Sequence, residues 1–374
     1  MSDNITNSMC PRSSRRAFLA AALAARHSYA DTLPKVREFR RGGMVYRQLG
    51  QTDINVSLLS FGSHTDPRFK KKVENGNVLQ EEGQTRRDRL IARALDRGVN
   101  LIDTYENEGQ WNPLAKVLQG GNQRQRALVS LCRQFPQFVG ENIDNAARLF
   151  GHVDLYRIYL GEGKSVDAKA LSDWDVLRKA KQAGKVRAIG ISTHDEGMML
   201  SALKELEGID YFMFPYNFIH ARADYAEFLP EAARRGVGLI AIKPLAAGSI
   251  VKMDPKAKQN TSPERDFVQL YQAKYRPLLP SVVADLTKSL EQLPEETLCQ
   301  AALRFVYSRP FMTAAMPGMF EAEALEDNLA GLNRHLELSR AERNVLEAAA
   351  KVAQATNQRW LPKHYQWLDQ RWQG

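Results

Sequence analysis

Asp103, Glu108, Arg157 and Tyr159 are the residues of this chain whose types and spacing could move a proton together: two carboxylates, a fixed cation and a phenol. A phenol with a pKa near 10 exchanges protons usefully at neutral pH only when a neighbouring cation stabilises its anion. In Val153-Asp-Leu-Tyr-Arg-Ile-Tyr-Leu160 a strand period of two puts Leu155, Arg157 and Tyr159 on one face. With Tyr159 facing an interior, Arg157 sits one layer beneath it and needs an acidic partner, because an unpaired guanidinium out of water is strongly disfavoured. An Arg157/Asp103 pair beside Tyr159 is the arrangement expected. The same three residues would serve equally as a core ion pair with a packing tyrosine. Glu108 can carry a proton, but it is normally ionised and would repel negative charge developing on a substrate oxygen. Asp103 and Glu108 could instead form a carboxylate pair acting on a sugar, depending on their separation. No Cys/His cluster with metal-ligand spacing is present, so the metal expectation is none.

The elements that must position these residues alternate in type. Met44–Gly50 and Val56–Ser60 read as short strands around the turn at 51–53, an N-terminal β-hairpin. From Gln84 onward helical and strand periods take turns. Strands are expected at 100–104, 127–132, 153–160, 186–192, 211–216, 238–243 and 313–317. Helices are expected at 84–98, 110–119, 138–150, 168–183, 195–207, 224–235, 294–308 and 322–332. Counting Val56–Ser60 as the first, eight parallel-type strands with continuous apolar character close most economically as an α/β protein of the (β/α)8 TIM-barrel type. A doubly wound open sheet is the competitor, but no Gly-x-Gly-x-x-Gly follows any strand. Two long rim insertions, 64–83 and 249–293, follow the first and seventh strands, at the end where barrel sites are built. The division expected is a segment 1–30, a linker 31–43, the barrel 44–335 and a C-terminal helical, aromatic extension 336–374.

Several stretches together carry a family resemblance: Tyr46-Arg-Gln-Leu-Gly50, Asn100–Gly109, Gly184-Lys-Val-Arg-Ala-Ile-Gly190 with Ile191-Ser-Thr193, Ala241-Ile-Lys-Pro-Leu-Ala246, Met316-Pro-Gly-Met319 and Leu325-Glu-Asp-Asn328. In order and spacing the chain resembles the aldo-keto reductase superfamily over about residues 44–335. The resemblance implies a Tyr acid, a Lys that lowers its pKa, an Asp that holds the Lys and a His that orients a carbonyl. Asp103 matches the Asp, whereas the other positions fall on Glu108, Cys132 and Tyr159, so three of the four differ. Conventional Tyr-dependent carbonyl reduction is therefore expected to be absent or very weak. A small alignment shift in 100–112 would bring Tyr105, two residues after Asp103, toward the lost phenol's place. The resemblance also implies a nicotinamide dinucleotide. Ser192 matches the residue that holds the carboxamide, Thr193 replaces its Asn neighbour, Met213 replaces a Gln and Ile242 the stacking aromatic. Asp327 and Asn328 keep the adenine-facing pair, while the positions that would grip a 2′-phosphate fall on Gly318 and Ala324, which favours NAD over NADP if any dinucleotide binds. Tyr216 and Asn217 are expected to line the site, and His194 to cap the next helix with Asp195. Whether Lys243 reaches the pocket depends on strand phase.

The segment before the barrel points to export. Ser14-Arg-Arg-Ala-Phe-Leu19 leads into an apolar run, Ala17–Ala25, and then Ser28-Tyr-Ala30, with small residues at minus three and minus one of a cleavable site. This resembles a twin-arginine-type signal, from which the twin-arginine export machinery as a partner and a periplasmic destination are expected. The run is shorter than the roughly 20 residues a membrane span needs. The net charge of +9 is dispersed without an aromatic-interleaved basic stripe, so nucleic-acid binding is not expected. The expected ligand is a small polar or carbonyl-containing molecule. The rival is a non-catalytic barrel that binds a small ligand or partner at its mouth.

Overall fold

The computed structural model describes residues 33–74, 76–105, 109–133, 138–161, 163–218, 227–246, 251, 256, 288–293, 295–333 and 335–355. The expected signal, Glu108, most of the 249–293 insertion and the 358–374 tail lie outside them.

A three-stranded antiparallel sheet comes first, with β1 (Glu38–Arg41), β2 (Met44–Gln48) and β3 (Asn55–Ser57) in that order. Strand β1 lies inside the expected linker. The expected first barrel strand, Val56–Ser60, is divided: its start pairs antiparallel with β2 as part of the hairpin, and the parallel contacts begin at Leu59. Within the 64–83 insertion, β4 (Lys70–Val73) and β5 (Gly76–Leu79) form a small antiparallel hairpin.

Seven parallel strands make the main sheet: β6 (Leu101–Tyr105), β7 (Leu128–Arg133), β8 (Val153–Tyr159), β9 (Val186–Ser192), β10 (Tyr211–Pro215), β11 (Gly238–Ile242) and β12 (Ala314–Met316). Their spatial order follows the chain, β6 at one edge and β12 at the other. The segment around Leu59–Phe61 bridges both edges, pairing Leu59 with Ala315 and Phe61 with Ile102. Backbone bonds Ser60 N to Ala315 O and Asp103 N to Phe61 O, each 2.9 Å, stitch it in. The barrel thus closes through short bridges rather than a regular eighth strand.

Helices alternate with the strands: α1 (Glu81–Asp96), α2 (Trp111–Gln119), α3 (Gln123–Arg126), α4 (Val139–Phe150), α5 (Ala168–Gln182), α6 (Glu196–Glu205), α7 (Phe228–Arg234), α8 (Leu298–Tyr307), α9 (Ala322–Ala330) and α10 (Arg340–Ala355). Asp167, Asp195 and Thr297 cap α5, α6 and α8 by accepting a backbone N–H in the first turn. The strand period of two separates two cores. Ile102, Leu131, Tyr156, Ile189, Phe212 and Leu239 face the helices, while Leu101, Leu155, Ala188, Met213, Ile240 and Ala314 fill the barrel with Leu49, Ile54 and Val56 from the hairpin segment. Both strand faces are therefore apolar, which explains why these strands read as nearly continuous hydrophobic runs. No helix among the described residues is long and apolar enough to cross a membrane.

Candidate functional site at the barrel mouth

One layer above the inner core, Arg157 and Asp103 meet. Arg157 Nη1 donates to Asp103 Oδ1 at 2.6 Å and Nη2 to Oδ2 at 2.9 Å, with the side chains 2% and 1% exposed. Ser130 Oγ donates to the same Asp103 Oδ1 at 2.6 Å and accepts from Arg157 Nη1 at 3.0 Å. The planar guanidinium matches the carboxylate fork, the geometry that makes a buried pair tolerable. Both Asp103 oxygens are engaged, and the site is closed to solvent.

Beneath Arg157 the barrel accommodates a large ring only because β9 carries a glycine. Gly190 lies in register with Arg157 on one side and Tyr211 on the other. A Cβ on Gly190 would fall 2.5 Å from the Tyr211 ring.

Tyr105 extends β6 to its end, paired with Cys132 of β7. Its ring meets His64 edge-on at 5.5 Å. Burial, and secondarily the Asp103 charge, push its phenol well above the ordinary tyrosine range, with Arg157 only partly opposing them. The Tyr105 phenol is thus held protonated rather than activated. Tyr159 stands at the rim, 39% exposed, with its ring edge-on to His194 at 5.6 Å.

A second cluster was weaker in the sequence. Lys243 follows β11 with φ of +53°, a left-handed conformation that costs a residue bearing a Cβ about 1–2 kcal/mol. Its carbonyl accepts from Asn217 Nδ2 at 3.0 Å and Ala246 N at 2.9 Å. Its Nζ lies 2.8 Å from His194 Nε2. Burial, with the nearby Arg157 charge, pushes the ammonium down to about 7. Asp195 supplies the cap of α6, and His194 turns toward Lys243 and Tyr159.

The other expected ligand contacts fare unevenly. Tyr216 does not line the mouth: it is fully buried in the outer layer, stacked on Phe305 of α8 at 5.8 Å and edge-on to Phe311. Counting from the inward Met213, strand parity turns it outward. Ser192 Oγ donates to Met213 O at 3.1 Å, and Thr193 Oγ1 accepts from Asp195 N at 3.2 Å. Asp327 accepts from Gln300 Nε2 at 2.7 Å and from the Thr297 hydroxyl at 3.2 Å, tying α9 to the start of α8, and Asn328 is fully buried beside it. Glu321, at the head of α9, is paired with Arg68 and Arg86, which anchors the rim insertion there. Gly109, with φ of +63°, lets that insertion approach closely, since a Cβ there would sit 2.9 Å from Val78. Cys132 and Cys299 are buried thiols, not joined to each other. Among the described residues no group of three or more His, Cys, Asp or Glu could hold a metal ion. A cavity of about 850 Å³ lined by Glu38, Glu296, Arg304 and Glu342 includes none of the mouth residues.

Comparison with known proteins follows this architecture. The Aldo/keto reductase family model matches residues 137–351. An L-glyceraldehyde 3-phosphate reductase of Escherichia coli (strain K12) is 22% identical over 355 residues, covering 85% of this chain and 97% of the relative. An uncharacterised oxidoreductase of Bacillus subtilis is 24% identical over 332 residues, covering 79% and 93%. Among solved structures, the holo form of an aldo-keto reductase from Bacillus halodurans superposes with a TM-score of 0.58 at 19% identity, covering 86% of this chain and 98% of that one. An aldo/keto reductase from Klebsiella pneumoniae, solved with NADP and acetate, gives a TM-score of 0.57 at 19% identity, covering 84% and 95%.

Proposed function

The chain belongs to the aldo/keto reductase family of oxidoreductases, and from that premise we propose that it is an exported member that takes a small polar, carbonyl-containing molecule at its barrel mouth. Tyr-dependent carbonyl reduction there is absent or very weak. The observation that carries this reading is the closed Arg157–Asp103 pair. The carboxylate that the family resemblance assigns to a titratable lysine is occupied by a guanidinium that stays charged at any working pH. The phenol beside it, Tyr105, has its pKa moved away from neutrality rather than toward it.

The residues present do not fit a nicotinamide held in the way the resemblance implies. The Ser192 hydroxyl donates to a backbone carbonyl, apolar Met213 stands where an amide is expected, and Lys243 reaches His194 at the strand ends. No hydride step is therefore drawn through this site. A dinucleotide held by its adenosine end would be NAD rather than NADP, because Gly318 and Ala324 offer a 2′-phosphate no charge-assisted bond.

Thermal unfolding with NAD, NADP and their reduced forms tests the reading, together with NAD(P)H oxidation in the presence of simple aldehydes. The expected result is at most a shift with NAD and no aldehyde-dependent oxidation above background. Aldehyde reduction at rates ordinary for the family would refute the reading, and silence with every dinucleotide would leave a ligand-binding barrel. Weighing against the carboxylate-pair alternative, Asp103 is 1% exposed and engaged at both oxygens.

A further inference from the structure

We propose that Lys243 is a carbonyl-capturing amine, condensing with a small aldehyde or ketone at the barrel mouth to give a Schiff base. The inference rests on the preceding reading only in taking a carbonyl compound as ligand, and it requires no dinucleotide.

Three strand ends converge on this group. Lys243 follows β11, His194 follows β9 by two residues, and Tyr159 ends β8. The lysine backbone is held in the left-handed region at φ +53°, and its carbonyl is fixed by Asn217, itself fully buried, and by Ala246 N. Strain of this kind persists where the surroundings over-determine it, and it gathers at functional sites. Two inward residues of β11, Ile240 and Ile242, would by alternation turn the next side chain toward the helices. The left-handed turn instead brings the amine to His194 Nε2 at 2.8 Å, beside the Tyr159 ring.

Charged and titratable groups near the amine include His194, in contact, Tyr159, whose ring is edge-on to His194, and Arg157, whose charge is paired with Asp103. Burial and the Arg157 charge bring the lysine pKa to about 7, so far more of it is neutral amine at neutral pH than of an exposed lysine. A desolvated lysine near another cation is a recognised way of making an amine nucleophilic.

The step balances without any oxidant or reductant. The Nζ lone pair attacks the carbonyl carbon, a C–N bond forms and the carbonyl π pair moves to oxygen. Nitrogen then gives up its two protons, oxygen takes up two and leaves as water, and the C=N bond remains. His194 Nε2 is placed to accept a proton from nitrogen and return it to the departing oxygen.

Reductive trapping tests the proposal. The protein is treated with glycolaldehyde and sodium cyanoborohydride at neutral pH without dinucleotide, and modified lysines are mapped by peptide mass spectrometry. Lys243 is expected to label on the order of a hundredfold faster than the exposed Lys71, because its larger neutral fraction outweighs the weaker nucleophilicity of a less basic amine. Its rate should level off about one pH unit above 7, while Lys71 keeps accelerating toward alkaline pH. His194→Gln should slow labelling at Lys243 about tenfold and leave Lys71 unchanged. Lys243→Arg should remove the adduct from that peptide. Equal labelling of Lys243 and Lys71 in the folded wild-type protein overturns the proposal, whatever the variants do. Because no dinucleotide is present, that failure would leave the family-based reading standing, and failure of dinucleotide binding would leave this one standing.

Discussion

At the scale of single residues, the Arg157–Asp103 pair explains how a barrel with this family's framework can hold a charge in its interior. Its formation says nothing by itself of catalysis, because a buried, bidentate ion pair is also a structural device. A double-mutant cycle measures the structural part. Arg157→Met and Asp103→Leu should each cost about 3–5 kcal/mol in urea unfolding, since each leaves one buried charge uncompensated. The combined variant should recover most of that loss. If the single variants are nearly neutral, or if the two losses simply add, the side chains are not coupled as the structure places them. The pair was legible in the sequence because strand alternation alone puts Arg157 under Tyr159. Its tilt toward Asp103 followed from the cost of leaving a guanidinium unpaired. What alternation could not give was the role of Tyr159, which the barrel leaves at the rim against His194.

At the scale of elements, β9 sets the height of the charged layer. Gly190 yields its Cβ volume to the Tyr211 ring, and Arg157 lies in register beside it. Gly190→Ala should therefore be destabilising by about 1–3 kcal/mol, the usual penalty for overpacking a close-packed core. Tyr211→Leu in the same chain should relieve part of it. An unchanged urea midpoint for Gly190→Ala would mean that the ring can move aside. The seven sheet strands were readable from their apolar runs, and the helices from their 3.6-residue period. The first barrel strand was not, because Val56–Ser60 has two jobs: its beginning pairs with the hairpin and its end meets β12, with Phe61 just beyond it bridging to β6. Strand β1 was missed for a related reason. Glu38-Phe-Arg-Arg41 is exposed along its length, so no hydrophobic alternation marks it.

At the scale of the whole molecule, the barrel has apolar cores on both sides of its sheet, and the proposed twin-arginine export would carry it folded. In the proposed export, the Arg15-Arg16 pair and Ser28-Tyr-Ala30 would supply the signal and cleavage site for such a route. In a bacterial host that has the twin-arginine machinery, the chain should be recovered from the periplasm beginning at Asp31. Replacing both Arg15 and Arg16 with Lys should retain it in the cytoplasm. Cytoplasmic recovery of the uncut wild-type chain would count against export.

The sequence by itself determined the class of fold, the family, the order of strands and the presence of a buried cation beneath a tyrosine, because each depends on local periodicity or on a charge that cannot be left alone. The tertiary structure alone decided which groups face the mouth. Tyr216 turned outward to stack on Phe305, and Lys243 turned inward although Ile240 and Ile242 predict the opposite for a continuing strand. The reason is physical: alternation holds only while the backbone stays extended, and at Lys243 it does not.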